Sequence, residues 1–216
     1  IMAKLGTVAN TKKTVKDNDF FIKKRFGQNF LTDQNILQKI VGIPDIDKDT
    51  LVIEIGPGFG GLTEHLLEQS KQVLAYEIDF ELIPILNNNF KDKKLTLIND
   101  DFLKRNLDED IKNLNTTYKK AIVVANLPYY ITTPIIMKIL EESSIVTELV
   151  VMMQYEVAKR FTGKPSTKDY NSLSVFIQYK TESKIALKVP KEVFIPAPNV
   201  DSAIVHMIIK EELDNK

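Results

Sequence analysis

From Thr50 onward, short runs of Val, Ile and Leu alternate with longer stretches in which apolar positions recur every three or four residues. That alternation is the mark of βαβ units, which close into a parallel sheet. The pattern predicts strands over 51–55, 72–77, 95–98, 121–125, 148–153 and 203–209, with a weaker one over 184–187. Helices are predicted over 62–69, 80–89, part of 106–114, 133–142 and 155–161, and a further one over 171–179, where Leu173, Phe176 and Ile177 share a side. Ahead of the sheet, Ile36, Leu37, Ile40 and Val41 are spaced for a helix lying on the domain. The fold expected is α/β: an open, doubly wound, mostly parallel sheet with an antiparallel final strand. Ligands of such sheets collect at the carboxyl ends of the strands, so chemistry is sought just after each strand.

Composition narrows the field. With 216 residues, 44% of them hydrophobic, the chain suits one soluble αβ domain with a real core. It has no cysteine, which rules out disulfides, thiolate metal sites and cysteine nucleophiles. No apolar run approaches the roughly 20 residues that span a bilayer, and no secretory signal is visible, so a cytoplasmic protein without a membrane partner is expected. The net charge of zero argues against a nucleic-acid binder, but its distribution does not. Residues 1–28 carry Lys4, Lys12, Lys13, Lys16, Lys23, Lys24 and Arg25 against Asp17 and Asp19, so a basic segment precedes a slightly acidic body. Residues 1–23 read as a basic arm, either solvated and partly disordered or in contact with phosphates.

Four of the eight glycines fall in Gly56-Pro57-Gly58-Phe59-Gly60-Gly61, between the first strand and a helix. Glycines there let a backbone approach a ligand and present amide N–H groups at a helix N-terminus. The run fits the dinucleotide fingerprint (56, 58, 61) and equally the Glu-x-Gly-x-Gly-x-Gly pattern of methyltransferases (54, 56, 58, 60). Glu77, at the end of the second strand, is placed to accept from both hydroxyls of an adenosine ribose, which suits NAD or S-adenosylmethionine alike. After the third strand, one carboxylate of Asp100-Asp101 is suited to an adenine exocyclic amine and Phe102 to cover the ring, against the plainer reading of a helix N-cap.

The fourth strand ends in Asn126-Leu127-Pro128-Tyr129-Tyr130. An adenine N6 amine is a poor nucleophile, because its lone pair is delocalised into the ring. The amide oxygen of Asn126 and the carbonyl of Leu127 can each accept one amine hydrogen and draw the nitrogen toward a tetrahedral geometry. Tyr129 is then the stacking face, and Pro128 fixes the backbone. An oxidoreductase has no use for this set.

At this point the chain resembles the bacterial ribosomal RNA adenine dimethyltransferases, which modify two neighbouring adenines near the 3′ end of small-subunit rRNA. The resemblance runs from about Lys24 to Ile209. It rests on Arg25-Phe26-Gly27-Gln28-Asn29-Phe30-Leu31, Glu54-Ile55-Gly56-Pro57-Gly58, Asn126-Leu127-Pro128-Tyr129, Gln154 with Glu156, and the segment 194–202 from Phe194 to Ser202. It implies a Rossmann-like class I methyltransferase domain over 24–210, with S-adenosylmethionine as cofactor. By it Asn29, Leu31, Gly56, Glu77, Asp101 and Asn126 contact the donor, Asn126 and Tyr129 face the target base, and Phe194 helps to sandwich it. The implied partner is ribosomal RNA within the small subunit or its precursor, acted on by a monomer, with a role in ribosome biogenesis. Tyr155 stands where the family commonly has lysine, and Phe102 where a small residue is common. The family usually continues into a helical C-terminal domain, and residues 211–216 read as a short tail without it.

The sister erythromycin-resistance methyltransferases share the fold and act on one adenine of large-subunit rRNA, although Gly56-Pro57-Gly58 and Leu127 look more like the dimethyltransferases. A non-catalytic assembly factor and an NAD-dependent oxidoreductase are the other readings. His65 and His206 have no second histidine at ligand spacing, and no metal is expected. The expected chemistry is in-line transfer of a sulfonium methyl to N6, twice, with catalysis mostly by positioning.

Overall fold

Strands that are apolar at every position are buried on both faces, as they are in the middle of a parallel sheet. The computed structural model, which describes residues 4–91 and 94–211, places them there. In chain order its elements are α1 (Val8–Asp17), β1 (Phe30–Leu31), α2 (Gln34–Val41), β2 (Thr50–Ile55), α3 (Gly61–Gln69), β3 (Gln72–Tyr76), α4 (Leu82–Asn89), β4 (Leu95–Ile98), α5 (Leu107–Asn113), β5 (Lys120–Asn126), α6 (Thr132–Glu142), β6 (Val146–Gln154), α7 (Tyr155–Phe161), α8 (Ser172–Lys180), β7 (Thr181–Val189), β8 (Phe194–Ile195) and β9 (Ser202–Ile209). Seven strands form one sheet in the order β4-β3-β2-β5-β6-β9-β7. Strands β4 to β6 pair in parallel, and β9 runs against both of its neighbours. The expected doubly wound sheet with an antiparallel final strand is the one found.

The period of two divides the core between the two faces of the sheet. Leu51, Ile53, Val123 and Ala125 point to the side covered by α6, with Ile135, Ile136 and Ile139. Val52, Ile122 and Val124 point to the side covered by α2 and α3, with Leu37, Ile40, Leu62 and Leu66. The order of the strands reverses between β2 and β5, and a crevice opens at their carboxyl ends. Among the described residues, no helix is long and apolar enough to cross a membrane.

Four elements depart from the sequence pattern. Strand β7 is nine residues long where a weak strand over 184–187 was expected, because it is an edge strand whose outward positions are exposed and dilute the apolar signal. The two-residue ribbon of β1 and β8 is too short to leave a pattern. Helix α1 buries only Thr11 and so has no apolar stripe. It is held at its ends: the Leu5 N–H donates to Glu64 at 3.1 Å, Gln34 Nε2 donates to the Gly6 carbonyl at 2.7 Å, and Lys4 pairs with Glu68 at 2.5 Å. Beyond the helix, Phe20 meets Phe59 edge-on, with ring centroids 5.2 Å apart. Over residues 4–23 the basic segment therefore lies on the domain, with Lys12, Lys13 and Lys16 exposed. Apart from Glu211, the 211–216 tail lies outside the described residues, as do residues 1–3.

Candidate active site

The glycine loop follows β2 and turns into α3. Gly58 has φ +59°, and a Cβ there would stand 3.0 Å from the Phe30 ring, so only glycine suits the position. The Gly58 N–H donates to Glu77 Oε2 at 3.2 Å, and the Asp79 N–H to Glu77 Oε1 at 2.9 Å. Because β3 ends at Tyr76, Glu77 begins the following loop, 5% exposed and lining the crevice. Burial pushes its carboxyl up to about 7, against the lowering effect of those two N–H donors.

Asp79 is itself buried and takes Lys23 Nζ at 2.5 Å and Gln28 Nε2 at 2.8 Å. These contacts dock the segment leading to Asn29 and Leu31 against the same loop. Asp101 lines the crevice and also caps the short turn that follows it, its Oδ1 accepting from the Leu103 N–H at 3.0 Å. The N-cap reading is thus met, and the same residue lies at the crevice wall. Phe102, 4% exposed, packs edge-on to Tyr76 with centroids 5.0 Å apart and faces the crevice.

The Asn126–Tyr129 turn forms the opposite wall. A Cβ added to Gly56 would lie 3.9 Å from the Asn126 carbonyl oxygen, so the glycine loop and this turn face each other across a narrow gap. Asn126 Nδ2 donates to the Asn29 carbonyl at 3.2 Å. That bond fixes the amide, and its acceptor oxygen is left for another partner. The Leu127 N–H is held by the Met152 carbonyl at 3.3 Å. The Tyr129 and Ser202 hydroxyls share a hydrogen bond of 2.5 Å.

One crevice is thus lined by Asn29, Leu31, Gly56, Glu77, Asp101 and Asn126 together with Leu127, Pro128 and Tyr129. Phe194 is the exception among the residues expected there. It is 2% exposed, pairs with Leu31 across the β1–β8 ribbon and packs into the core, one layer behind the crevice. The Thr32 N–H and hydroxyl both donate to the Val193 carbonyl at 2.9 Å and hold the ribbon in that place. Its ring is buried and does not line the crevice in this structure.

Glu54 and Ser202 had no individual role in the sequence pattern, and Asn29 makes a contact beyond the one expected of it. Glu54, part of the glycine motif, is 1% exposed, lines the crevice and accepts from Thr63 Oγ1 at 2.6 Å; burial pushes its carboxyl up to about 8. The Asn29 carbonyl orients Asn126, and Ser202 holds Tyr129; no sequence spacing announces either contact. The histidines have packing partners, His65 with Gln34 at 2.9 Å and His206 with Glu148 at 2.6 Å. Among the described residues no group of three or more His, Asp or Glu is placed to hold a metal ion.

Comparison with known proteins gives this arrangement a family. The sequence profile described as ribosomal RNA adenine dimethylase matches residues 20–216. The ribosomal RNA small subunit methyltransferase A of Streptococcus pneumoniae serotype 2 is 52% identical over 203 residues, which cover 94% of this chain and 70% of the relative. A dimethyladenosine transferase from Plasmodium falciparum has a similar structure, with a TM-score of 0.73 at 28% identity over 83% of this chain and 63% of that one. The 23S rRNA methyltransferase ErmE gives a TM-score of 0.73 at 29% identity over 85% of this chain and 71% of that one. On the profile match and a relative 52% identical over 203 aligned residues, the chain belongs to the ribosomal RNA adenine dimethylase family.

Proposed function

We propose that the crevice binds S-adenosylmethionine and that the Asn126–Tyr129 turn presents the N6 amine of an adenine to it. As a member of its family the protein is an rRNA adenine dimethyltransferase acting on small-subunit ribosomal RNA. The observation that carries the residue-level reading is the orientation of Asn126. With its NH₂ group donating to the Asn29 carbonyl, its amide oxygen is left to accept from an amine at the wall facing the glycine loop.

The residues fit the donor. Glu54 and Glu77 are buried carboxyls hydrogen-bonded by neutral groups, a setting that favours a ligand with positive charge. S-adenosylmethionine supplies such a charge on the sulfonium that carries its methyl group. Glu77 holds the ribose hydroxyls, Asp101 and Phe102 the adenine, and Gly56 with Asn29 and Leu31 the remainder. On the other wall Asn126 Oδ1 and the Leu127 carbonyl take the two amine hydrogens. Pro128 fixes the turn and Tyr129 stacks on the base. With the donor bound, these groups would orient the amine toward the methyl that the sulfonium supplies, and the barrier would be lowered mainly by that orientation and by hydrogen bonds from the amine to Asn126 Oδ1 and the Leu127 carbonyl. A dinucleotide would use the loop and Glu77 but leave Asn126 and Tyr129 idle.

The partner in this reading is the small ribosomal subunit or its precursor, met by a monomer in the cytoplasm. The likeness to ErmE keeps large-subunit rRNA as the competing substrate. Incubating the protein with methyl-labelled donor and each rRNA, followed by nucleoside analysis, separates the two. N6,N6-dimethyladenine in small-subunit RNA is the expected product; label only in large-subunit RNA would overturn the assignment.

A further inference from the structure

We infer that Ser202 is a positioning residue for methyl transfer, acting through the hydroxyl of Tyr129. The inference rests on the function proposed above. Tyr129 stands in a short turn after β5, partly buried, and the orientation of its ring rests in part on what holds its far end. The Ser202 hydroxyl holds that end, 2.5 Å from the phenol oxygen. A ring pinned at both ends keeps one plane, and a base stacked on it keeps one height relative to Asn126.

The direction of the effect follows from what fixes each partner. Ser202 is fully buried and begins β9, paired with Gln154 on one side and Val189 on the other. The preceding residue is tied down as well: the Asp201 carbonyl accepts from the Tyr155 N–H at 3.0 Å, and its Oδ1 from the Lys191 N–H at 3.0 Å. Ser202 therefore keeps its place without Tyr129. The tyrosine, in contrast, depends on a contact from 73 residues away. The hydrogen bond joins the Asn126–Tyr129 turn to the end of the segment 194–202, whose Phe194 is itself buried behind the crevice.

The test is a double-mutant cycle on the single-turnover rate of methyl transfer, using Ser202→Ala, Tyr129→Phe and both together, with donor affinity measured for each. Tyr129→Phe keeps the ring and loses only the held hydroxyl. Each single variant is expected to slow transfer, on the order of tenfold for one lost hydrogen bond, with donor affinity unchanged. The double variant is expected to be no slower than the slower single one. A Ser202→Ala protein as fast as wild type overturns the inference. So does a double variant slower by the product of the two losses, which is also what damage to folding by Ser202→Ala would produce. A wild-type protein that transfers no methyl group to adenine overturns the proposed function, and the inference with it.

Discussion

On the side of the crevice proposed for the donor, Glu77 is held by N–H groups of Gly58 and Asp79, 19 and two residues away in sequence. On the side proposed for the base, Asn126 is oriented from Asn29 and Tyr129 from Ser202, across 97 and 73 residues. Glu77, Gly56 and Asp101 on the proposed donor side come from consecutive βα units at strand ends, joined by Asn29 and Leu31 of the N-terminal segment. The base side exists only once the N-terminal segment and β9 have docked. A fixed ligand can be gripped by local backbone, whereas the reacting amine has to be held to within a fraction of an ångström by groups that are themselves braced. Damage to the two sides should therefore be felt in different measurements, binding for one and rate for the other.

The sharpest break is Asn126→Ala. Removing an oriented acceptor of this kind costs on the order of 10²–10³ in transfer rate, measured in a single turnover, with little change in donor affinity. Glu77→Ala should act on the opposite quantity, weakening donor binding by about 1.5–3 kcal/mol in calorimetry, the scale of a hydrogen bond to a charged group. Unchanged donor affinity would remove Glu77 from the site.

Smaller effects sharpen the contrast. Glu54 is held in the fold well above the usual carboxylate range, at about 8, so between about 4.5 and 8 the folded chain keeps a proton that the unfolded chain has released. Stability of the ligand-free protein should fall as pH rises through that window. Glu77, at about 7, adds to the fall in the same direction over a narrower range. Glu54→Gln should flatten the decline of the thermal midpoint between pH 5 and 8; an equally steep decline would deny the buried charge. Least in size is the basic helix. Deleting residues 1–19 would also remove Leu5, Gly6 and Thr11, which line the crevice, so exchanging exposed Lys12, Lys13 and Lys16 for glutamine is the cleaner probe. If they meet phosphates, the slope of log affinity for rRNA against log salt should flatten by about two, with donor affinity unchanged. An unaltered slope would leave the helix with a structural role.

The same contrast decides what could be read from the residues in advance. Strands β2 to β6, the glycine loop, Glu77 and the Asn126 turn announce themselves through runs of apolar residues and short motifs, because each is local. Helix α1 could not be seen, since it buries Thr11 and lacks an apolar face. Strand β7 showed only its middle, because half of its positions face water. Phe194 was legible as part of a motif, yet its place behind Leu31 depends on the β1–β8 pairing, which spans most of the chain. The bracing of Asn126 and Tyr129 is likewise a product of tertiary packing. Spacing along the sequence carries no trace of it.

Single-turnover transfer at saturating donor, with Glu77→Ala and Asn126→Ala measured side by side, tests the division of labour most directly. Glu77→Ala should recover a rate close to wild type once donor fills the crevice, and Asn126→Ala should remain slow at every donor concentration. Rescue of Asn126→Ala by added donor would contradict the account, because Asn126 would then be holding the cofactor and not the amine.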